Sequence, residues 1–342
     1  MVVKFAHKGD TGSNKPEKFA VQLTANAYWH QRPTGYKVAA LKPKIDRLAV
    51  IVQVPSKTDQ AMIRKRLDAL TLNKDEAAFS KAGKIKGWGS GKYRRSFNLL
   101  VPNGAHVLIQ CWPKDPTAAT AFLRLEMNPA IMGPEGVALL REMAPHFTSE
   151  LVTYADIAME GRVTRLDIAV DLVNIDIEDL LLRTGKLGKT HSYFGLTGKL
   201  ETKYLNVNTK GSNLYVYDRR QRHRDAGVEP EFGETKHTRV EIRTGTTKPI
   251  VKLPSLMNHL WKIEIIDIEA AEPPENDYHW KMFQDSCRYR GLHGALNILP
   301  VQIRKQYEAA IMAVEDELWR PGELWTYWPE MIAKSGLIDF ED

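Results

Sequence analysis

GRVTRLDIAVDLVNI occupies residues 161–175, and its alternation of aliphatic and polar residues predicts a β-strand. Successive side chains of a strand point to opposite faces. The residues on one face are therefore Arg165, Asp167, Ala169 and Asp171. Those on the other face are Leu166, Ile168, Val170 and Leu172. We expect the apolar face to pack on helices, and the acidic face to hold either cross-strand ion pairs or a functional site.

A matching strand occurs earlier in the chain, where RLAVIVQV (47–54) aligns with RLDIAVDL (165–172). Two more segment pairs align in the same order, NGAHVLIQC with KGSNLYVYD and LRLEMNP with TRVEIRT. Helical spacing at 58–72 and 177–188 completes a repeated order of strand, helix, hairpin and strand. The sequence thus predicts an α+β fold, with internally duplicated βαββ-type units in a mostly antiparallel sheet and helices on one face.

The chain divides by composition into four parts. Residues 1–40 are polar and predict an N-terminal arm with a short strand at FAVQLT, and 250–342 predict a helical C-terminal region rich in tryptophan. The first unit spans 41–150 and the second spans 151–249.

The two units differ in the residues that could carry chemistry. Ala49 and Gln53 align with the two acids of the second unit, and Gln110 aligns with Tyr217. Only Glu126 has an acidic counterpart, Glu241. The second unit is therefore the one predicted to be catalytic, and the first is predicted to hold DNA.

Charge and composition indicate a nucleic-acid partner. The formal net charge is +6, and basic residues cluster at 80–95 and 218–224. A solvated basic face is the alternative for either cluster. The chain contains no apolar run of the ~20 residues needed to span a bilayer and no signal peptide. Two distant cysteines argue against a disulfide framework. We expect a cytoplasmic protein of a bacterial host cell, without a membrane partner.

Acids on neighbouring strands predict a divalent metal site. Asp167 and Asp171 are four residues apart, roughly 13 Å on a strand, which is too far to share an ion without a bulge. Asp167 is therefore expected to pair with Glu241 and bind Mg²⁺ or Mn²⁺ through carboxylate oxygens. Salt bridges of purely structural value are the alternative.

The ordered motifs RLDIAVDL, LYVYDRR and TRVEIR are similar to those of Rep_trans-type rolling-circle replication initiators of plasmids and filamentous phages, whose relatives include conjugative relaxases. The resemblance covers about 45–245, and the specific motifs lie between 161 and 243. The sequence departs from the family pattern at Arg219, where lysine is usual, and in the first unit, which lacks the acids.

The resemblance implies an enzyme that nicks one DNA strand at an origin, forms a 5′-phosphotyrosine and a free 3′-OH, and then re-ligates the strand. It implies Tyr217 as nucleophile, with Tyr215 second and Tyr204 and Tyr193 weaker. The implied ligands of Mg²⁺ or Mn²⁺ are Asp167, Glu241 and Asp171. A non-catalytic DNA-binding regulator and a relaxase of the same family are the alternatives.

The expected partners are origin DNA, as single strand, cruciform or duplex, and a host helicase, while the origin sequence and the choice between monomer and dimer stay open. The residues expected to bind DNA are Arg165, Arg219, Arg220, Arg222, Arg224, Arg239, Arg243, Lys210, Lys92, Arg94, Arg95 and Trp88.

Overall fold

The computed structural model describes most of the chain. The described residues are 28–70, 79–81, 92–101, 104–148, 152–185, 189–207, 213–274, 277–314 and 318–338. The strand expected at FAVQLT, Trp88 and Lys210 lie outside them.

The centre of the fold is the antiparallel pair formed by β3 (Lys44–Val52) and β8 (Arg162–Val173). β8 is the strand predicted from GRVTRLDIAVDLVNI. Leu48 pairs with Leu166, Arg47 pairs with Asp167 and Ala49 pairs with Arg165. Because Arg47 aligns with Arg165 and Ala49 with Asp167, this register is symmetric about the two leucines. The aligned residues therefore lie on either side of a local two-fold axis.

The other strands are arranged in mirrored order around this pair. Beyond β3 follow β7 (Leu123–Met127), β6 (His106–Pro113), β5 (Tyr93–Leu100) and β4 (Phe79–Lys81). Beyond β8 follow β13 (His237–Thr244), β12 (Asn213–Asp218), β11 (Leu200–Val207) and β10 (Lys189–Phe194). Every described pair along this path is antiparallel, which confirms the predicted α+β fold with duplicated units.

An N-terminal hairpin also joins the sheet. It consists of β1 (Tyr28–Gln31) and β2 (Lys37–Ala40), and β2 pairs with the end of β8. Between the two strands, Arg32 donates hydrogen bonds to Asp267 at 2.8 Å and to Asp179 at 3.1 Å. The assignment of residues 28–40 to an arm is therefore wrong, because buried ion pairs fix this hairpin to the rest of the chain.

Helices cover the apolar face of the sheet. α1 (Lys57–Leu70) follows β3 as predicted, and it buries Ile63 and Leu67. α2 (Pro129–Thr148) and α3 (Tyr154–Glu160) connect the first unit to the second. Their apolar side chains share one core with the leucine, isoleucine and valine residues of β8. The opposite face of the sheet is left for polar side chains.

The helix predicted at 177–188 is wrong. A short 3₁₀ turn at Ile177–Asp179 leads into the strand β9 (Leu180–Thr184), which pairs with β14 (Ile263–Asp267). Leu181 and Ile266 are buried side by side in a second apolar cluster that includes residues of the C-terminal helices. Partner strand and packing decide this segment, because leucine forms a helix or a strand according to its tertiary surroundings.

The C-terminal region is largely helical, as predicted. Its helices are α5 (Asp277–Asn297), α6 (Val301–Met312), α7 (Pro321–Thr326) and α8 (Trp328–Lys334). Trp280, Trp319 and Trp328 are buried, and the indole of Trp328 donates to the Leu253 carbonyl at 2.8 Å. Within the described part of the chain, no helix is both long enough and apolar enough to cross a membrane.

Candidate active site

The polar face of the second unit contains an open pocket of about 510 Å³. Strand register arranges its side chains in rows across the sheet, since neighbouring strands lie ~4.8 Å apart. One row contains His191, Tyr204, Tyr215 and Glu241. The next contains Asn213, Arg243, Asp167 and Arg47. The structure thus brings together a tyrosine, two acids and arginines, which the sequence placed on separate strands.

Asp167 lies at the floor of this pocket, and its side chain is only 1% exposed. The Nε atoms of Arg165 and Arg243 each donate to its Oδ1 at 3.0 Å. Arg243 crosses from β13, whereas Arg165 lies two residues earlier on β8. Two guanidinium groups therefore compensate the charge of this buried carboxylate.

Glu241 lies beside Asp167 and behaves as an unusually basic carboxyl group. Burial, together with the charges of Asp46 and Asp167, raises its pKa to about 7. The hydroxyl of Tyr217 donates to Glu241 Oε2 at 3.4 Å, and Arg243 Nη2 lies 3.4 Å from Oε1. Three carboxylates on one pocket wall supply the hard oxygen donors that a divalent cation prefers, so the residues present fit such an ion.

The sequence analysis missed Asp46, the third of these acids. Strict alternation along β3 would place it with Leu48 on the apolar face. A register irregularity between Ile45 and Arg47 instead turns both Asp46 and Arg47 toward the pocket. Arg239 Nη1 donates to Asp46 Oδ1 at 2.8 Å and fixes its position. The acidic residue beside Arg47 in the sequence was the available signal.

The two tyrosines of β12 differ sharply in access. Tyr215 is half-buried, and its hydroxyl accepts a hydrogen bond from Arg243 Nη1 at 2.8 Å. Tyr217 is only 3% exposed, burial raises its pKa, and Arg222 lies over its ring at 4.6 Å. The structure therefore favours Tyr215 over Tyr217 for contact with a substrate.

Asp171 and Arg239, expected to contact metal and DNA, belong to a buried ion-pair network. Arg239 donates to Asp171 through Nε at 2.6 Å, Lys44 Nζ lies 2.7 Å away, and His237 Nε2 lies 2.9 Å away. Burial opposes the charge of Asp171, yet these neighbours hold its pKa well below the usual value. Arg239 is 1% exposed, so we withdraw both assignments: neither residue reaches the pocket or a DNA phosphate.

Oxygen and nitrogen atoms of Asp171, Glu231 and His237 lie within 4.8 Å of one another, a spacing that could suit a metal ion. Lys44 and Arg239 already occupy this cluster. Lys44 Nζ is 3.7 Å from Glu231, and Arg239 Nη2 is 3.4 Å from it. Because two fixed positive charges neutralise the two carboxylates, we interpret the cluster as structural.

The network makes stability depend on pH. Burial opposes ionisation of Glu231, but Lys44 and Arg239 lower its pKa to about 2. The ionised form is therefore favoured in the folded state, by about 3 kcal/mol at neutral pH, and this stabilisation is lost as pH falls from about 5 toward 2. Urea unfolding between pH 3 and 7 should show a steeper loss for the wild type than for Glu231→Gln. Glu234→Gln, an exposed neighbour, should keep the wild-type profile.

The basic run after β12 forms the short helix α4 (Arg219–Asp225), with Asp218 accepting from the Gln221 amide at 2.8 Å. Three of its arginines bind groups of this chain: Arg219 contacts Glu231, Arg220 contacts the Glu234 carbonyl and Arg224 contacts the Glu234 carboxylate. The fourth, Arg222, lines the pocket.

The basic residues expected in the first unit lie on or beside β5, outside the pocket lining. Lys92, Arg94 and Arg95 are exposed. Arg94 lies 5.0 Å from the ring of Trp112, a half-exposed residue that the sequence analysis did not select. Arg95 is 4.0 Å from Asp68.

Glu126, the acid shared by both units, is neutralised by arginines. Arg47 Nη1 donates to Glu126 Oε1 at 3.1 Å, Arg165 Nη1 lies 3.6 Å from the same oxygen, and Arg124 binds the other oxygen. Ala49 faces Glu126 across the strand pair, so this acid has no acidic neighbour there. The first unit therefore lacks the carboxylate cluster found in the second.

No family model matches the chain. Three curated relatives, each a replication initiation protein of Staphylococcus aureus, match at low identity. The first is 25% identical over 143 residues, 42% of this chain and 35% of that protein. Another is 21% identical over 222 residues, 60% of this chain and 64% of that protein. The chain therefore spans about a third to just under two thirds of the relatives' length.

A solved structure described as a rolling circle replication initiator protein from Geobacillus stearothermophilus is 16% identical. The match covers 72% of this chain and 96% of that chain, with a TM-score of 0.36, too low to bear on the site. The resemblance predicted from the motifs is confirmed by the curated relatives: this chain is related to the replication initiation proteins.

Proposed function

We propose that this chain nicks one strand of origin DNA in the bacterial cytoplasm through a tyrosine nucleophile, and later re-ligates it. The observation that carries the proposal is the contact of Arg243 with both Tyr215 and Asp167. One guanidinium group thus joins an accessible phenol to the carboxylate cluster, and the relationship to replication initiators supplies DNA as the substrate.

The proposed reaction exchanges one phosphate ester for another. The Tyr215 oxygen forms a bond to the phosphorus, the bond from phosphorus to the 3′-oxygen breaks, and the 3′-oxygen leaves with a proton. Burial raises the pKa of Tyr215, and Arg243 acts in the opposite direction. Arg243 therefore stabilises the phenolate, which is the stronger nucleophile.

Asp46, Asp167 and Glu241 are the residues that would hold a divalent ion such as Mg²⁺ or Mn²⁺. Such an ion, when bound, polarises the phosphate and neutralises developing charge. Asp171 takes no part in this proposal because it is enclosed by Lys44 and Arg239.

Arg222 is the arginine of α4 that we assign to the DNA backbone. Its guanidinium lies over the Tyr217 ring and lines the same pocket as Tyr215. A planar guanidinium with several donors suits bidentate binding of phosphate oxygens. We place it on the side of the pocket away from Arg165.

Asp167→Asn tests the proposal directly. Nicking of a supercoiled plasmid that carries the cognate origin, with Mg²⁺ or Mn²⁺, should fall by at least about 100-fold, because the amide supplies no charge for a cation. Glu126→Gln is the matched control, since Glu126 lies on the same sheet face and also contacts Arg165. It should nick within a few-fold of wild type. Equal nicking by wild type and Asp167→Asn would refute the assignment.

The ion pairs of Asp167 with Arg165 and Arg243 favour one alternative, a non-catalytic DNA-binding regulator in which the acids are structural. Origin binding without nicking under any metal condition would support that alternative. A relaxase would run the same chemistry on the same residues, and its cognate site would be a transfer origin.

A further inference from the structure

An aromatic strip leads from the pocket to the edge of the sheet. It consists of His191, Tyr193, Tyr204 and Tyr215, on strands β10, β11 and β12. The ring of Tyr204 packs edge to face against Tyr215 at 5.0 Å and against Tyr193 at 5.3 Å. These contacts fix three tyrosine rings in one continuous series. The outermost, Tyr193, is 55% exposed.

A second cavity of about 360 Å³ lies along this strip. Tyr204 and Tyr215 line both this cavity and the larger pocket, so the two spaces adjoin. The described residues that line the second cavity include no acid, in contrast to the carboxylate cluster next door. A polyanion is therefore not repelled there by the residues it would contact.

We propose that the aromatic strip binds unpaired bases of single-stranded DNA on one side of the cleavage point. The inference rests on the proposed function, because that function places a DNA phosphate at Tyr215. A phosphate held there by Arg222 and Arg243 directs the neighbouring nucleotides along the sheet surface. Toward β10, that surface is made of aromatic rings.

The chemistry of the strip fits bases of any sequence. Every base has a flat π-face, and stacking on tyrosine or histidine rings requires no particular pattern of hydrogen-bond donors. Bases paired in a duplex are stacked on one another, and their faces are not free to bind tyrosine. The strip should therefore discriminate single-stranded from duplex DNA, while sequence recognition comes from other parts of the chain.

The test measures binding without cleavage. Fluorescence polarisation of a labelled single-stranded oligonucleotide from the nick region, in EDTA, should show roughly tenfold weaker binding for Tyr193→Ala. Tyr193→Phe should bind like wild type because it keeps the ring. Binding of the matching duplex should change little in either variant.

Phe194→Ala is the matched control. Phe194 is the next residue of the same edge strand and is similarly exposed, at 47%, but its ring stacks on Tyr289 of α5. It should leave single-strand binding unchanged. Equal weakening by Tyr193→Ala and Phe194→Ala, or no weakening by Tyr193→Ala, would overturn the proposal.

Nicking assays separate this inference from the proposed function. Normal nicking by a Tyr193→Ala variant whose single-strand binding is also normal would refute the strip and leave the nicking proposal intact. Weakened single-strand binding by this variant, in a wild-type protein that never nicks, would refute nicking and uphold the strip. Sedimentation that shows Tyr193→Ala dissociating a wild-type dimer, with DNA binding unchanged, would assign the strip to self-association and overturn the inference.

Discussion

Tyr215→Phe is expected to abolish the covalent adduct between this protein and an origin oligonucleotide, while Tyr217→Phe is expected to retain it. Phenylalanine lacks the attacking oxygen but keeps the ring that packs 5.0 Å from Tyr204. Tyr217 is nearly inaccessible, and its hydroxyl faces Glu241. Denaturing gels that retain the labelled oligonucleotide on the protein measure the adduct, and mass spectrometry of the digested adduct identifies the residue.

Tyr204→Phe and Tyr193→Phe complete this set, because both rings belong to the aromatic strip and both hydroxyls are on the open face. We expect each variant to form the adduct. An adduct peptide containing phosphorylated Tyr217 would restore the nucleophile first predicted from the sequence. Loss of the adduct in Tyr193→Phe would move the reacting hydroxyl to the sheet edge.

Arg239→Met is expected to lower the free energy of unfolding by about 3–5 kcal/mol, because it leaves a buried carboxylate without its main partner. Arg239 is 1% exposed and bridges Asp171 and Asp46. Methionine has a comparable length but no charge. Urea or guanidinium unfolding at neutral pH measures the change.

Two controls identify the cause of that loss. Arg183→Met removes an exposed ion pair with Glu264, and it should cost less than about 1 kcal/mol. The double variant Arg239→Met with Asp171→Asn should recover part of the loss, since the amide carries no charge to strand in the core. A double variant as unstable as Arg239→Met with its cost and that of Asp171→Asn simply added would show that the two groups act independently.

Much of the site could be predicted from strand alternation. The period of two placed Asp167, Tyr215 and Glu241 on one face of their strands, and the antiparallel order brought those faces together. Alternation failed at Asp46, because a register irregularity reverses the direction of a side chain without any change in composition. A bulge of this kind depends on the partner strand.

Depth within the polar face could not be predicted either. Asp171 and Asp167 lie on the same face of β8, yet only Asp167 lines the pocket. The other end of the strand is covered by β2 and by Glu231, which lies in the connection before β13. Contacts of this kind join residues distant in sequence, and the alternation of a single strand contains no information about them.

The symmetric pairing of β3 with β8 determines what would happen to the two units if they were separated. A chain cut between them would leave each strand as an open edge, with a row of free backbone N–H and C=O groups. Long apolar edges of this type recruit other chains and aggregate. Neither unit is therefore expected to be soluble when expressed alone. The half without the acids has a physical task all the same: it covers the edge that its partner would otherwise expose.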